Sequence, residues 1–94
     1  MNSFEIRGGH CRLTFKNGYT VSLYNGFGSY SDNKFDTNLL DITADDDVAS
    51  TYCEVAIIKN GKFVTRDVIG DDTDVIGYES IDDVLDILNK VSKL

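Results

Sequence analysis

Cys11-Arg12-Leu13-Thr14-Phe15-Lys16-Asn17-Gly18-Tyr19-Thr20-Val21-Ser22-Leu23 is the stretch whose reading decides the fold. Apolar residues alternate with polar ones on both sides of Asn17-Gly18, the period of two that a half-buried β-strand requires. An Asn-Gly step between two such runs signals a hairpin. Register selects the turn. A two-residue loop would set Phe15 opposite Thr20 and Leu13 opposite Ser22, scattering the apolar set over both faces. A three-residue loop, 16–18, sets Phe15 opposite Tyr19, Leu13 opposite Val21 and Cys11 opposite Leu23. The expectation is a type I turn with Gly18 left-handed in a G1 bulge.

Upstream, Phe4-Glu5-Ile6-Arg7 reads as a short strand broken at Gly8-Gly9. Downstream, residues 51–59 form the strongest strand, with Cys53, Val55 and Ile57 alternating against Tyr52, Glu54, Ala56 and Ile58. Asn60-Gly61 favours a type I′ turn that pairs Ile57 with Val64 and puts Val68 on the face of Cys53 and Val55. Residues 39–43 read as a short strand, 75–78 as a further extended piece, and 44–47 and 71–74 as acidic turns. From Ser80 to about Lys93 the pattern is helical. Ser80 and Asp83 make an approximate capping box. Asp82 and Asp83 suit the N-terminal dipole, and Lys90 and Lys93 the C-terminal one. Ile81, Val84, Leu85, Leu88 and Val91 form one apolar stripe expected to pack on the sheet. The tetrapeptide Asp-Val-Ile-Gly occurs at 67–70 and 74–77, but unlike surroundings argue against a structural repeat. The fold class is α+β: a single domain, residues 1–94, with an antiparallel β-sheet of four to six strands and one C-terminal helix packed on one face.

Ninety-four residues with 41% hydrophobic and 27% charged content fit one ordinary core. The net charge of −7 is uneven: residues 1–36 carry +1 and residues 37–94 carry −8. A duplex-binding protein needs a cationic footprint, so direct nucleic-acid binding is not expected. Excess acid suits solubility or docking onto a basic protein surface. Residues 1–10 lack the apolar stretch and cleavage site of a signal peptide, and the longest apolar run is 55–58. The expectation is a cytoplasmic protein with no membrane partner, its Cys11 and Cys53 reduced.

His10 is the only histidine. Its neighbour Cys11 points to the opposite face of a strand, and Cys53 faces the expected core. No base–nucleophile pair is therefore expected. One His and two separated Cys do not make a zinc set, and the acidic clusters lack calcium-loop spacing. The expected tally is no catalytic residue, no metal and no cofactor. The clusters Asp45, Asp46, Asp47, then Asp71, Asp72, Asp74, then Asp82, Asp83, Asp86 read as solvated turns and a helix cap. The alternative is a protein-contact patch that imitates phosphate charge.

Residues 24–35 differ in texture, mixing Gly, Ser and Asn with aromatics. Loops this long are usually functional or disordered. Tyr24, Phe27 and Tyr30 offer stacking faces. Gly26 and Gly28 open the backbone to a ligand. Ser29, Ser31, Asn33 and Lys34 supply polar groups, and Arg7 or Arg12 could add charge from adjacent strands. Together these could hold a nucleotide-like ligand. The spacing matches neither the P-loop nor the dinucleotide fingerprint. An ordinary surface loop tucked against the core edge, or a protein-contact loop, fits the same residues.

Residues 13–22 (Leu-Thr-Phe-Lys-Asn-Gly-Tyr-Thr-Val-Ser), followed by Gly26-x-Gly28-x-Tyr30, resemble a group of small uncharacterised tailed-bacteriophage accessory proteins. So do Cys53-Glu54-Val55-Ala56 and the Gly77-Tyr78 step before a capped helix. Members often carry a Cys after the loop Tyr, where Ser31 stands here. The resemblance implies a phage accessory gene product acting in the host cytoplasm, of the counter-defence kind. Combined with the loop, it leads to a non-enzymatic protein that binds and sequesters a nucleotide-like immune signalling molecule. The alternative is an acidic, nucleic-acid-mimicking inhibitor of a CRISPR effector or other host nuclease, and a third reading is a virion or regulatory adaptor. A homo-oligomer is expected, because a small domain gains a deep pocket most readily at a subunit interface.

Overall fold

Alternation and turn chemistry produce a meander of three strands at the start of the chain. In the computed structural model, which describes residues 2–70 and 72–94, these are β1 (Ser3–Arg7), β2 (His10–Thr14) and β3 (Thr20–Tyr24). The hairpin register is the three-residue one: Leu13 faces Val21 and Cys11 faces Leu23. The Phe15 N–H donates to the Tyr19 carbonyl at 2.8 Å, and the Gly18 N–H to the Phe15 carbonyl at 3.0 Å. Gly18 has φ 90°, the left-handed position of the bulge.

β4 (Cys53–Lys59) pairs antiparallel with β3. Its other side is shared by β5 (Lys62–Phe63) and β6 (Ile76–Glu79). Asn60 and Gly61 have φ 53° and 74°, a type I′ turn, and the Val64 N–H donates to the Ile57 carbonyl at 2.8 Å.

Three local expectations are overturned. First, the strand after Asn60-Gly61 does not reach Val68. It ends at Phe63, and α1 (Thr65–Ile69) follows. The buried Thr65 hydroxyl accepts from the Ile57 N–H at 2.9 Å and donates to the Asp74 carbonyl at 2.6 Å. A side chain thus takes the place of a strand partner, and Val68 packs against the core from a helix. Second, residues 39–43 form no strand. The chain makes a 3-10 turn at Thr37–Leu39, capped by the Asp36 carboxylate accepting from the Asn38 N–H. Local side-chain-to-backbone bonding of this kind outcompetes a short run of weak strand formers. Third, β4 starts at Cys53 rather than residue 51, because the N–H groups of Thr51 and Tyr52 donate to the Asp32 carboxylate at 2.9 and 3.0 Å.

The helix α2 (Ile81–Ser92) carries the expected box: Ser80 Oγ accepts from the Asp83 N–H, and the Asp83 carboxylate from the Ser80 N–H. Its buried face differs from the expected stripe. Ile87 and Val91 are buried, whereas Ile81 is 82% and Leu85 55% exposed. The core cluster of Val21, Val55, Ile57, Ile76, Ile87 and Val91 comes from β3, β4, β6 and α2 alone. The helix therefore lies over the β3–β4–β6 half of the sheet. On the same side, Phe4 (78% exposed) and Ile6 (72%) stand opposite Leu13 and Cys11 with no helix above them. Leu88 and Ser92 of α2 border this bare half. Phe4, Leu13, Phe15 and Leu88 line a groove of about 620 Å³ there.

Candidate functional site

The loop between β3 and β4 is built by its own polar side chains. Asn25 Nδ2 donates to the Val48 carbonyl (3.0 Å) and to Ser50 Oγ (2.9 Å). Asn33 Nδ2 donates to the carbonyls of Asn25 (2.8 Å) and Ala49 (3.0 Å). Ser29 and Ser31 are buried with their hydroxyls 2.7 Å apart, and Ser29 Oγ donates to the Gly26 carbonyl. The Tyr24 hydroxyl donates to the Phe27 carbonyl at 2.7 Å. Gly26 is required by packing: a Cβ there would lie 2.8 Å from the Tyr24 ring. Gly28 has φ 81°, and its N–H donates to the Lys34 carbonyl. Bonds from the Thr51 and Tyr52 N–H groups hold the Asp32 carboxyl below its ordinary pKa. No buried side-chain polar atom among the described residues lacks a partner.

Of the residues expected to hold a ligand, Tyr24, Gly26, Gly28, Ser29, Ser31 and Asn33 are thus committed to the loop itself. Phe27 is half-buried. Tyr30 and Lys34 remain outward. Lys34 Nζ lies 4.3 Å from the Tyr30 ring centre and 5.4 Å from that of Phe35, within cation–π range. Phe35, 82% exposed, was not among the expected site residues. Tyr52 and Tyr78 also carry exposed rings beside the loop: the Tyr52 N–H donates to Asp32, and the Tyr78 N–H to the Tyr30 carbonyl. Gly77 lets β6 approach, since a Cβ there would meet Tyr30 Cβ at 2.5 Å.

Arg7 and Arg12 share the polar sheet face with Tyr24. Arg7, His10, Tyr24 and Glu54 stand in one cross-strand row, and Glu5, Arg12, Ser22 and Ala56 in the next. Arg7 lies two strands from Tyr24, about 10 Å at ordinary strand spacing, and pairs with Glu5 at 3.3 Å. The same face holds a contact that sequence reasoning missed: His10 Nε2 and Ser22 Oγ are 2.8 Å apart. The hairpin register sets His10 opposite Tyr24 and diagonal to Ser22. Burial, with Arg12 nearby, lowers the His10 pKa, so the ring is neutral at pH 7 and can accept a proton. Ser22 is nevertheless buried mid-sheet. Its neighbouring main-chain N–H groups belong to the ladder, so no oxyanion donors converge on it.

Cys11 and Cys53 are free. They lie on β2 and β4, with β3 between, too far apart for the 4.4–6.8 Å Cα separation of a disulfide. Burial raises both thiol pKa values. The acidic residues Asp45, Asp46, Asp47, Asp72 and Asp74 are exposed, and Asp71 lies outside the described residues. Asp46 accepts from the Thr43 N–H, and Asp74 pairs with Arg66 at 3.4 Å. No metal-binding group of His, Cys, Asp and Glu occurs among the described residues. No described helix is long and apolar enough to cross a membrane. No protein-family model, curated protein or solved structure matches this chain.

Proposed function

We propose that this chain works by protein contact, as a non-enzymatic counter-defence factor whose acidic surface docks onto a basic host protein. One observation carries the reading. The polar groups of the glycine-rich loop close on one another, whereas the carboxylates of Asp45, Asp47 and Asp72 face solvent, with Asp46 tied to the Thr43 N–H and Asp74 to Arg66. Surface charge left free is what steers and orders association with an oppositely charged partner. The resemblance to small phage accessory proteins supplies the setting, and a CRISPR effector or other nuclease supplies a basic surface of the right kind. The test is capture from host lysate at low and high salt, with mass spectrometry of proteins and small molecules. Charge reversal at Asp71, Asp72 and Asp74 abolishes salt-sensitive capture of a basic protein, and Tyr30→Ala leaves it intact.

A second reading has its own support. Lys34 held over Tyr30 and Phe35 is an aromatic–cationic platform for a planar, anionic, nucleotide-like ligand. Sequestration by that platform predicts the reverse pattern: Tyr30→Ala and Lys34→Ala release the small molecule, and the Asp reversals do not.

A further inference from the structure

We propose that two copies of this chain join β1 to β1 antiparallel across a two-fold axis at Ile6, extending the sheet and closing the bare half of its apolar side.

The backbone comes first. The Phe15 N–H bonds toward β3. By the alternation of an antiparallel ladder, His10, Arg12 and Thr14 then bond toward β1. Their partners Arg7, Glu5 and Ser3 face inward. The main-chain groups of Phe4 and Ile6 point away from the sheet, and among the described residues no strand pairs with that edge. An open edge with apolar side chains is a template for another strand. Both lie on the side that α2 leaves uncovered, beside Cys11 and Leu13.

Charge selects a second copy as the occupant. Two molecules of net −7 repel, so the contact must supply its own attraction, and β1 carries one carboxylate and one guanidinium, Glu5 and Arg7, on the same face. With Ile6 on the axis, Glu5 faces the partner's Arg7 and Arg7 faces the partner's Glu5. Opposite charges directly across a strand pair stabilise it. Moving the axis to Glu5 would set the two Glu5 carboxylates against each other. Of these two registers, the one centred on Ile6 is the self-complementary one. That register keeps Phe4 and Ile6 of both copies on one apolar surface, with Leu88 of each α2 beside Phe4.

Sedimentation equilibrium tests this with Glu5→Arg, Arg7→Glu, the double variant and a one-to-one mixture of the singles. The wild type is expected to be a dimer. Each single variant raises the dissociation constant about tenfold or more, since two attractive pairs become repulsive. The double variant and the mixture restore wild-type association. A monomeric wild type, or single variants that dimerise like the wild type, overturns the proposal. If a single variant loses its circular dichroism spectrum, the double variant decides: a folded monomer overturns the proposal and a dimer supports it.

Discussion

Thr65→Val isolates the contact that replaces a strand partner beside β4. Valine matches threonine in shape, so no cavity opens. The change removes the oxygen that accepts from the Ile57 N–H at 2.9 Å and the hydrogen donated to the Asp74 carbonyl. Ile57 and Thr65 are both fully buried, so water does not replace the lost partner. A stranded buried donor costs about 1–3 kcal/mol, and the lost bond adds about 1 kcal/mol. The expected loss is about 2–4 kcal/mol, a large part of the 5–15 kcal/mol of a typical domain. At about 4–8 °C per kcal/mol for a domain of this size, Tm falls by roughly 8–32 °C. Thr65→Ser is the control: it keeps the hydroxyl, loses one buried methyl and costs about 1 kcal/mol. Urea titration followed by far-UV circular dichroism measures both, and amide exchange at Ile57 reports the bond itself. A loss at Thr65→Val smaller than at Thr65→Ser would refute the assignment of stability to the hydroxyl.

Ser80→Ala removes the cap of α2 and is expected to cost about 1 kcal/mol in the same titration. Gly77→Ala drives a Cβ into Tyr30 Cβ. It is expected to cost about 1–3 kcal/mol and to raise amide exchange through residues 28–34 before the rest of the sheet. The folded His10 pKa lies below 6.5, so the unfolded chain binds more protons between the two values. His10 stabilisation is present above 6.5 and lost as pH falls toward the folded value. NMR titration locates that value, and His10→Gln flattens this part of the pH–stability curve. The Asp32 pKa is lowered below 3.8. Its stabilisation is present above 3.8 and lost as pH falls through the folded value, so Asp32→Asn removes that acid dependence.

Much of the fold was legible because its signals are local. Asn17-Gly18 and Asn60-Gly61 set two turns whose registers follow from keeping apolar residues on one face. The Ser80–Asp83 box is a spacing of three. Two of the errors lie where a distant group captured the backbone. Asp32 took the N–H groups of Thr51 and Tyr52, and the Thr65 hydroxyl took that of Ile57. The candidate site misled for the same reason. Ser29, Ser31 and Asn33 read as ligand donors in sequence, but such groups must find partners once the loop packs, and they found one another. The His10–Ser22 contact was readable from the register.

The sequence by itself determined the pairing of strands across its turns, the antiparallel α+β class and the uneven charge, because period, turn chemistry and composition are properties of neighbouring residues. Tertiary structure alone decided which apolar residues became core. Ile81, Leu85 and Ile87 have similar hydrophobicity, yet only Ile87 is buried. The difference is where the axis of α2 crosses the sheet, set by packing against Val21, Val55 and Ile57. That same placement leaves Phe4 and Ile6 bare.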